Sequence, residues 1–202
     1  LNQWKPLLLI LSLFAAFKFF FLLKYHIPIW DEAVYLGMGK YIYSLGSSGL
    51  WEILRPPALP LVTGIFWKLG LPYVFFSEVI TVLFGVGAVF LSYLIANKLF
   101  NRKVAILAAA LLATSPWFYL YSSYILTEVP SAFFALLAIY AFISRRYFLS
   151  GAGAAAAMLF KFPNGLVLAV IAAAIIASAV IKNIQVLKFG NFGQLVKALW
   201  QK

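Results

Sequence analysis

The sequence predicts an all-α integral membrane protein with about six transmembrane helices. Hydrophobic residues fill 65% of its 202 positions and charged residues only 10%, whereas a soluble domain usually carries about 25% charged residues. Apolar segments that approach the roughly 20 residues needed to cross a bilayer recur along the chain. The charges are also unevenly distributed between the two predicted sides. These three observations indicate a single transmembrane domain over residues 1–202.

Six apolar segments are the predicted spans. They cover residues 7–23, 73–97, 104–120, 129–144, 148–160 and 162–181. Lys18 is the one charge inside the first segment. The fifth segment is short and rich in glycine and alanine, and such small residues allow neighbouring helices to pack closely in lipid. We therefore expect a close helix contact there.

Residues 24–72 are predicted to form the first extracytoplasmic loop, with surface helices. A helix over residues 31–46 would lie along the membrane surface, with one apolar face. That predicted face consists of Val34, Met38, Tyr41, Ile42 and Leu45. Residues 56–71 are apolar but too short to cross comfortably, which predicts an interfacial or re-entrant segment. The cytoplasmic tail, residues 182–202, is predicted to be an amphipathic surface helix.

The orientation follows from the charges on each side of the predicted spans. One side receives ten basic residues and no acid, and the positive-inside rule makes it cytoplasmic, together with both termini. The opposite side receives all five acids of the chain, which are Asp31, Glu32, Glu52, Glu78 and Glu128. These acids are therefore expected to be extracytoplasmic.

Composition excludes several kinds of function. The net charge of +11 is explained by basic residues that flank the spans, so nucleic-acid binding is not expected. The chain has no cysteine, which excludes disulfides, thiolate metal sites and a cysteine nucleophile. Its single histidine, His26, excludes a metal site made of several histidines within this chain.

The outer acids and bases are candidates for chemistry. Asp31 and Glu32 begin the predicted surface helix, where capping of the helix and catalysis are both compatible roles. Arg55 precedes two prolines and is either an ordinary loop charge or a guanidinium that binds a phosphate. Glu128 stands where the fourth span begins, as a helix N-terminal acid or a site residue. Lys161 interrupts an apolar stretch near the outer surface.

Together these groups suit sugar transfer from a lipid phosphate. A carboxylate can remove a proton from an acceptor hydroxyl. Cations can stabilise the negative charge that develops on a phosphate leaving group. Glu52 and Glu78 receive no role.

Several motifs then resemble a known family. They are Trp-Asp-Glu-Ala-Val-Tyr at residues 30–35, Arg-Pro-Pro-Ala-Leu-Pro at 55–60, Gly70, Tyr-Ile-Leu-Thr-Glu-Val-Pro at 124–130, and the stretch 153–162. In this order the chain resembles the N-terminal transmembrane part of GT-C glycosyltransferases, in the branch of protein O-mannosyltransferases and aminoarabinose transferases.

The resemblance implies an inverting enzyme with a GT-C-like fold that uses a polyprenyl- or dolichyl-phosphate sugar at the extracytoplasmic side. It implies that Asp31 is the general base, with Glu32 as the adjoining catalytic acid. Arg55 and Lys161 would bind the donor phosphate, and Glu128 would be a supporting acid. No cofactor is expected, because relatives with monophosphate donors need no catalytic metal and only a diphosphate donor would require a divalent ion.

Family members usually have several more spans than this chain. The chain is therefore either part of a longer enzyme or a form that is truncated or depends on a partner subunit. Two other functions stay open, namely a small polytopic transporter and a non-catalytic module of a larger complex.

The expected partners are the lipid bilayer, the donor and an acceptor glycan, lipid or protein. The expected location is a prokaryotic plasma membrane.

Overall fold

A computed structural model of the chain describes residues 4–22, 27–177 and 180. Within these ranges the protein is entirely helical and contains no strand. The described helices are α1 (Lys5–Leu22), α2 (Trp30–Tyr43), α3 (Ala58–Lys68), α4 (Tyr73–Leu99), α5 (Arg102–Thr114), α6 (Pro116–Tyr121), α7 (Glu128–Ile143), α8 (Tyr147–Phe160) and α9 (Phe162–Ala177). His26 and the predicted tail, residues 182–202, lie outside the described residues.

The predicted all-α fold is confirmed, and α4 matches the predicted span over residues 73–97. With 27 residues it is the one helix, among those described, that is long and apolar enough to cross a membrane. α3, α7, α8 and α9 are apolar but shorter. The number of spans, about six, therefore stays a prediction.

The predicted single span over residues 104–120 is wrong as a continuous helix. The helix ends at Thr114 and a new one begins at Pro116. Pro116 lacks a backbone N–H and disfavours the helical conformation of the residue before it. Ser115 accordingly has an extended backbone, with φ −60° and ψ 121°. The break redirects the chain into the short helix α6, which precedes the loop that enters the candidate site.

Two glycines allow α2 and α3 to pack closely. A Cβ atom at Gly39 would lie 2.9 Å from the Cα atom of Gly64, and one at Gly64 would lie 2.6 Å from the carbonyl oxygen of Gly39. Only residues without side chains fit this contact. The crossing fixes α2 against α3 and so brings the start of α2 close to the segment that leads into α3.

The apolar face predicted for α2 is only partly correct. Val34 and Met38 are buried, but Tyr41 is exposed and Leu45 is 95% exposed. The helix ends at Tyr43, and Leu45 lies in the following turn with a positive φ of 55°. The buried face is instead completed by Tyr35 and Leu36, which pack in a cluster with Leu59 of α3, Ile125, Leu126 and Phe160.

The close contact predicted at the fifth segment is confirmed between α7 and α8. A Cβ atom at Gly153 would lie 3.1 Å from the backbone nitrogen of Ala138. The Ser150 hydroxyl donates a hydrogen bond of 2.9 Å to the Ala138 carbonyl oxygen. α4 packs against α1, α5 and α7. This packing supports the loops that carry the candidate site residues.

Candidate active site

The candidate site begins at the N-terminus of α2, where two adjacent acids have different environments. The expectation that Asp31 caps this helix is wrong, because the N-cap is Ile29 and Asp31 is the second residue of the helix. Glu32 satisfies the helix start instead, since its Oε2 accepts a hydrogen bond of 2.8 Å from the Ile29 backbone N–H. The Asp31 carboxylate is half exposed and makes its contacts elsewhere.

Glu32 is fully buried, and each of its carboxylate oxygens accepts a backbone N–H. Besides the bond from Ile29, Oε1 accepts a hydrogen bond of 2.7 Å from the Ile125 N–H. An ionised carboxylate makes strong bonds to backbone donors in a buried setting. The geometry therefore favours Glu32 as the group that fastens the loop at residues 122–127 to the start of α2.

Arg55 connects two outer acids. Its Nη2 donates a hydrogen bond of 2.7 Å to Asp31 Oδ1, and its Nε donates one of 2.9 Å to Glu52 Oε2. The guanidinium also lies 5.1 Å from the centre of the Tyr35 ring. Pro56 and Pro57 follow directly and begin the approach to α3. The planar guanidinium thus holds Asp31 and Glu52 with two different nitrogens.

These contacts determine the charge state of Arg55. Partial burial pulls the pKa of the guanidinium down, but the interactions with Asp31, Tyr35 and Glu52 outweigh it and hold the pKa above its ordinary value. Arg55 is therefore a permanent cation beside the Asp31 carboxylate.

The second ion pair joins α7 to the break between α8 and α9. The Lys161 ammonium donates a hydrogen bond of 2.8 Å to Glu128 Oε1, and both side chains are more than one third exposed. Glu128 is the first residue of α7. Lys161 has an extended backbone, with φ −152° and ψ 110°, between the end of α8 and the short 3-10 turn that begins α9. An ion pair this exposed contributes little to the stability of the fold. Its importance lies in where it puts a cation and an acid.

Asp31 and Glu128 line the same cavity, which has a volume of about 280 Å³. The two acids lie far apart in the sequence, and each is paired with a cation, Arg55 or Lys161. The remaining lining residues are mostly aromatic or apolar: Ile29, Tyr35, Leu120, Tyr121, Tyr124 and Leu126. The fold therefore brings together four of the five predicted site residues, while Glu32 is buried behind them.

A second cavity begins at Glu128 and Lys161 and has a volume of about 610 Å³. It follows one face of α7, which presents Ser131, Ala132, Ala135, Leu136 and Ile139. From Ser131 to Ile139 this face extends about 12 Å along the helix axis at 1.5 Å per residue. Because Glu128 lines both cavities, it marks the junction between the Asp31 cavity and a long, mainly apolar groove.

Sequence reasoning missed the tyrosines of the site and gave Glu52 no role. Tyr35 is predictable in principle, because it follows Asp31 by four residues and so lies on the same helix face. Tyr121 and Tyr124 follow the break at Pro116, a position where the sequence predicts a continuous helix. Glu78 is buried near the start of α4 and lines a different cavity with Lys18.

Across residues 4–22, 27–177 and 180, no three histidine, cysteine or acidic side chains come close enough together to hold a metal ion. The expectation that the reaction needs no cofactor stays a prediction.

Comparison with known proteins gives one result that bears on this site. No curated protein and no solved structure matches the chain. The family model described as dolichyl-phosphate-mannose-protein mannosyltransferase matches residues 54–196, which is more than half of the chain. The matched segment contains Arg55, Glu128 and Lys161 and begins after Asp31. The chain therefore belongs to the dolichyl-phosphate-mannose-protein mannosyltransferase family, a membrane-associated family of GT-C glycosyltransferases with dolichyl-phosphate sugar donors.

Proposed function

We propose that this chain is a glycosyltransferase, or the N-terminal part of one, that moves a sugar from a polyprenyl- or dolichyl-phosphate donor to an acceptor hydroxyl. The observation that carries the proposal is the shared cavity of Asp31 and Glu128, with a cation paired to each acid. A cavity of this composition offers a base for a hydroxyl and positive charge for a phosphate. The transferred sugar is a hexose or a pentose.

Asp31 is the general base in this mechanism. Its carboxylate takes the proton of the acceptor hydroxyl while the acceptor oxygen forms a bond to the anomeric carbon. The bond from that carbon to the phosphate oxygen breaks, and the lipid phosphate leaves with the electron pair. A single displacement from the face opposite the phosphate inverts the anomeric configuration.

Arg55 and Lys161 stabilise the departing phosphate. Both are cations within hydrogen-bonding distance of a site carboxylate: Arg55 is bonded to Asp31 of the first cavity, and Lys161 is bonded to Glu128 and lines the second. As the phosphate gains charge in the transition state, it attracts these cations more strongly than the intact donor does. Arg55 must then share its donors between the phosphate and its carboxylate partners.

The groove along α7 is the proposed place for the lipid part of the donor. It is mainly apolar, it is about 12 Å long, and it opens at Lys161 and Glu128. An isoprenoid chain in the groove would place its phosphate at Lys161 and its sugar towards Asp31. Glu128 supports this arrangement by holding Lys161, and Glu32 supports it by holding the loop that forms the cavity wall.

The site is proposed to face the extracytoplasmic side. The support comes from charge, since the acids gather at the end of the helix bundle that holds Lys18, Arg55 and Lys161, whereas Lys98 lies in the last turn of α4 and Arg102 begins α5 at the far end. By the positive-inside rule, we propose that the far end is cytoplasmic and that both termini lie on that side of the membrane. A prokaryotic plasma membrane is the proposed location.

The proposal is tested with membranes that contain the chain and a polyprenyl-phosphate sugar labelled in the sugar. We expect the label to pass to an acceptor with inversion at the anomeric carbon, and we expect a chelator of divalent cations to leave the rate unchanged. Retention of configuration would contradict the displacement mechanism. Flux of a polar solute without sugar transfer would favour the transporter.

A matched experiment separates the enzyme from a non-catalytic module. The same assay is run with the chain alone and with proteins that co-purify with it. Transfer that depends on a partner, and that persists when Asp31 is replaced by asparagine, would assign the chemistry to the partner and contradict the proposal.

A further inference from the structure

Lys18 is a buried cation that the proposed mechanism does not use. It lies in α1, is 1% exposed, and donates hydrogen bonds to the Tyr119 carbonyl oxygen and to Ser123 Oγ, the latter at 2.8 Å. Its ammonium also lies 3.5 Å from the centre of the Tyr119 ring. A buried ammonium is costly unless its donors are satisfied. Here two of its donors are satisfied, one by the Tyr119 carbonyl oxygen in α6 and one by the Ser123 hydroxyl in the loop between α6 and α7.

The same loop is held from its other side by a buried charge of opposite sign. Glu32 Oε1 accepts the Ile125 N–H at 2.7 Å. Around these two attachments the loop is closely packed, since Ser122, Ile125 and Thr127 are all buried. Two buried ionisable side chains from different helices therefore fix one six-residue segment, residues 122–127.

This segment forms part of the candidate site. Tyr124 lines the Asp31 cavity, and Glu128 follows the segment directly. A further cavity of about 310 Å³, lined by Lys18 and Glu78, shares Leu120 and Tyr124 with the Asp31 cavity. A shift of the segment would therefore move the wall between these cavities and the acid at the junction with the α7 groove.

We infer that Lys18 is a positioning residue for the transfer reaction, acting through the Tyr119 carbonyl and the Ser123 hydroxyl to place Tyr124 and Glu128 beside Asp31. This inference rests on the proposed function. Lys18 does not line the Asp31 cavity, so it does not touch the substrate there. It is also a poor anchor for an anionic ligand, because its donors already have partners and Glu78 lines the same cavity.

The kinetic test uses Lys18→Met, Ser123→Ala and the double variant in reconstituted membranes. Loss of alignment is expected to lower kcat about 10- to 100-fold in Lys18→Met, while the KM for the donor changes less than about threefold. Because Ser123 acts with Lys18, the double variant is expected to lose no more than Lys18→Met alone. Lys18→Arg is expected to restore part of the activity. The control is Lys98→Met, which removes an exposed lysine at the far end of α4.

Two kinetic outcomes would overturn the inference. An unchanged kcat in Lys18→Met would show that the ammonium does not align the site. Independent, multiplicative losses in the double variant would show that Lys18 does not act through Ser123.

A second test does not depend on activity, because the chain contains no cysteine. Thr127 is buried and makes no cap hydrogen bond, so Thr127→Cys serves as a reporter for the loop. We expect Lys18→Met to raise the maleimide labelling rate of this reporter by about tenfold or more, as local opening becomes more frequent, whereas Lys98→Met leaves it unchanged. If the wild type transfers no sugar, the proposed function fails, and labelling still decides whether Lys18 orders the loop. An unchanged labelling rate in Lys18→Met would overturn the inference.

Discussion

The buried carboxylate of Glu32 accepts the backbone N–H of Ile125, a residue 93 positions later in the chain, at 2.7 Å. Its other oxygen accepts the Ile29 N–H. One side chain thus fixes the start of α2, which carries Asp31, to the loop that leads to Glu128. The relative position of the two site acids depends on this contact.

Replacement of Glu32 by glutamine tests that contact. A glutamine side chain has one oxygen, so one of the two backbone N–H groups would face an amide donor instead of an acceptor. A buried donor left without an acceptor costs about 1–3 kcal/mol. We therefore expect Glu32→Gln to lower the midpoint of thermal unfolding in detergent and to reduce transfer. The control is Glu52→Gln, which changes a half-exposed side chain, and equal stability of the two variants would contradict the role of Glu32.

Replacement of Arg55 by lysine tests the role of the guanidinium. Lysine has a single nitrogen and cannot reproduce the separate bonds that Nη2 and Nε make to Asp31 and Glu52. We expect Arg55→Lys to raise the KM for the donor and to lower kcat/KM about tenfold or more. The control is Arg102→Lys, which changes an exposed arginine at the start of α5. An unchanged kcat/KM in Arg55→Lys would show that binding of the donor phosphate does not need the guanidinium of Arg55.

The pH dependence of the same variant gives a separate prediction. The interactions with Asp31, Tyr35 and Glu52 hold the pKa of Arg55 above its ordinary value, so the guanidinium stays charged throughout the pH range below that value and loses its charge only above it. Wild-type stability and rate should therefore show no alkaline decline from Arg55 up to about pH 10. An ammonium has an ordinary pKa of about 10.4, so Arg55→Lys should decline earlier as the pH rises. If stability and rate decline at the same alkaline pH in both proteins, the proposed role of the Arg55 charge is contradicted.

A double variant that exchanges Glu128 and Lys161 tests whether the site needs only their ion pair or also the lysine at position 161. The ion pair is partly exposed and is expected to contribute only about 0.2–1 kcal/mol to stability. The double variant Glu128→Lys, Lys161→Glu should therefore unfold near the wild-type temperature. Its transfer activity should stay low, because it places a carboxylate where the donor phosphate needs a cation. Wild-type activity in the exchanged protein would show that only the pairing matters.

Two glycines of α8 offer a matched test of helix packing. A Cβ atom at Gly153 would lie 3.1 Å from the Ala138 nitrogen, whereas one at Gly151 would have nothing within 4 Å. Alanine is preferred over glycine in a helix by about 1 kcal/mol, so Gly151→Ala should leave stability equal or higher. Gly153→Ala should lower the unfolding midpoint, because α7 must move away. Equal midpoints would contradict the close contact of α7 and α8.

The charged residues of the candidate site could be found from the sequence, but the ion pairs that they form could not. In a chain with 10% charged residues, an acid or lysine at the end of an apolar segment stands out. Asp31 and Arg55, however, are 24 residues apart, and Glu128 and Lys161 are 33 apart. These distances in sequence are closed by the packing of α2 against α3 and of α7 against α8. No local pattern specifies which residues these helix contacts bring together.

Lys18 illustrates the same limit. The sequence showed a charge inside an apolar segment, which marks a residue of interest in a membrane helix. Its partners are a backbone carbonyl and a hydroxyl that lie 101 and 105 residues away. Neither has a sequence signature, because every residue has a carbonyl and serine is common. The break at Pro116 that brings them there follows from the conformational restriction before proline, so this part was predictable in principle.

Replacement of Asp31 by asparagine separates a catalytic role of this carboxylate from a purely structural one. Asparagine keeps the size of the side chain and accepts a hydrogen bond from Arg55, but it cannot take a proton from the acceptor hydroxyl. We predict that kcat for sugar transfer from labelled polyprenyl-phosphate sugar falls about 10²- to 10⁴-fold, with a much smaller loss in Glu52→Gln, which alters the other acid paired with Arg55. Transfer by Asp31→Asn at the wild-type rate, in membranes with equal amounts of protein, would remove Asp31 from the mechanism.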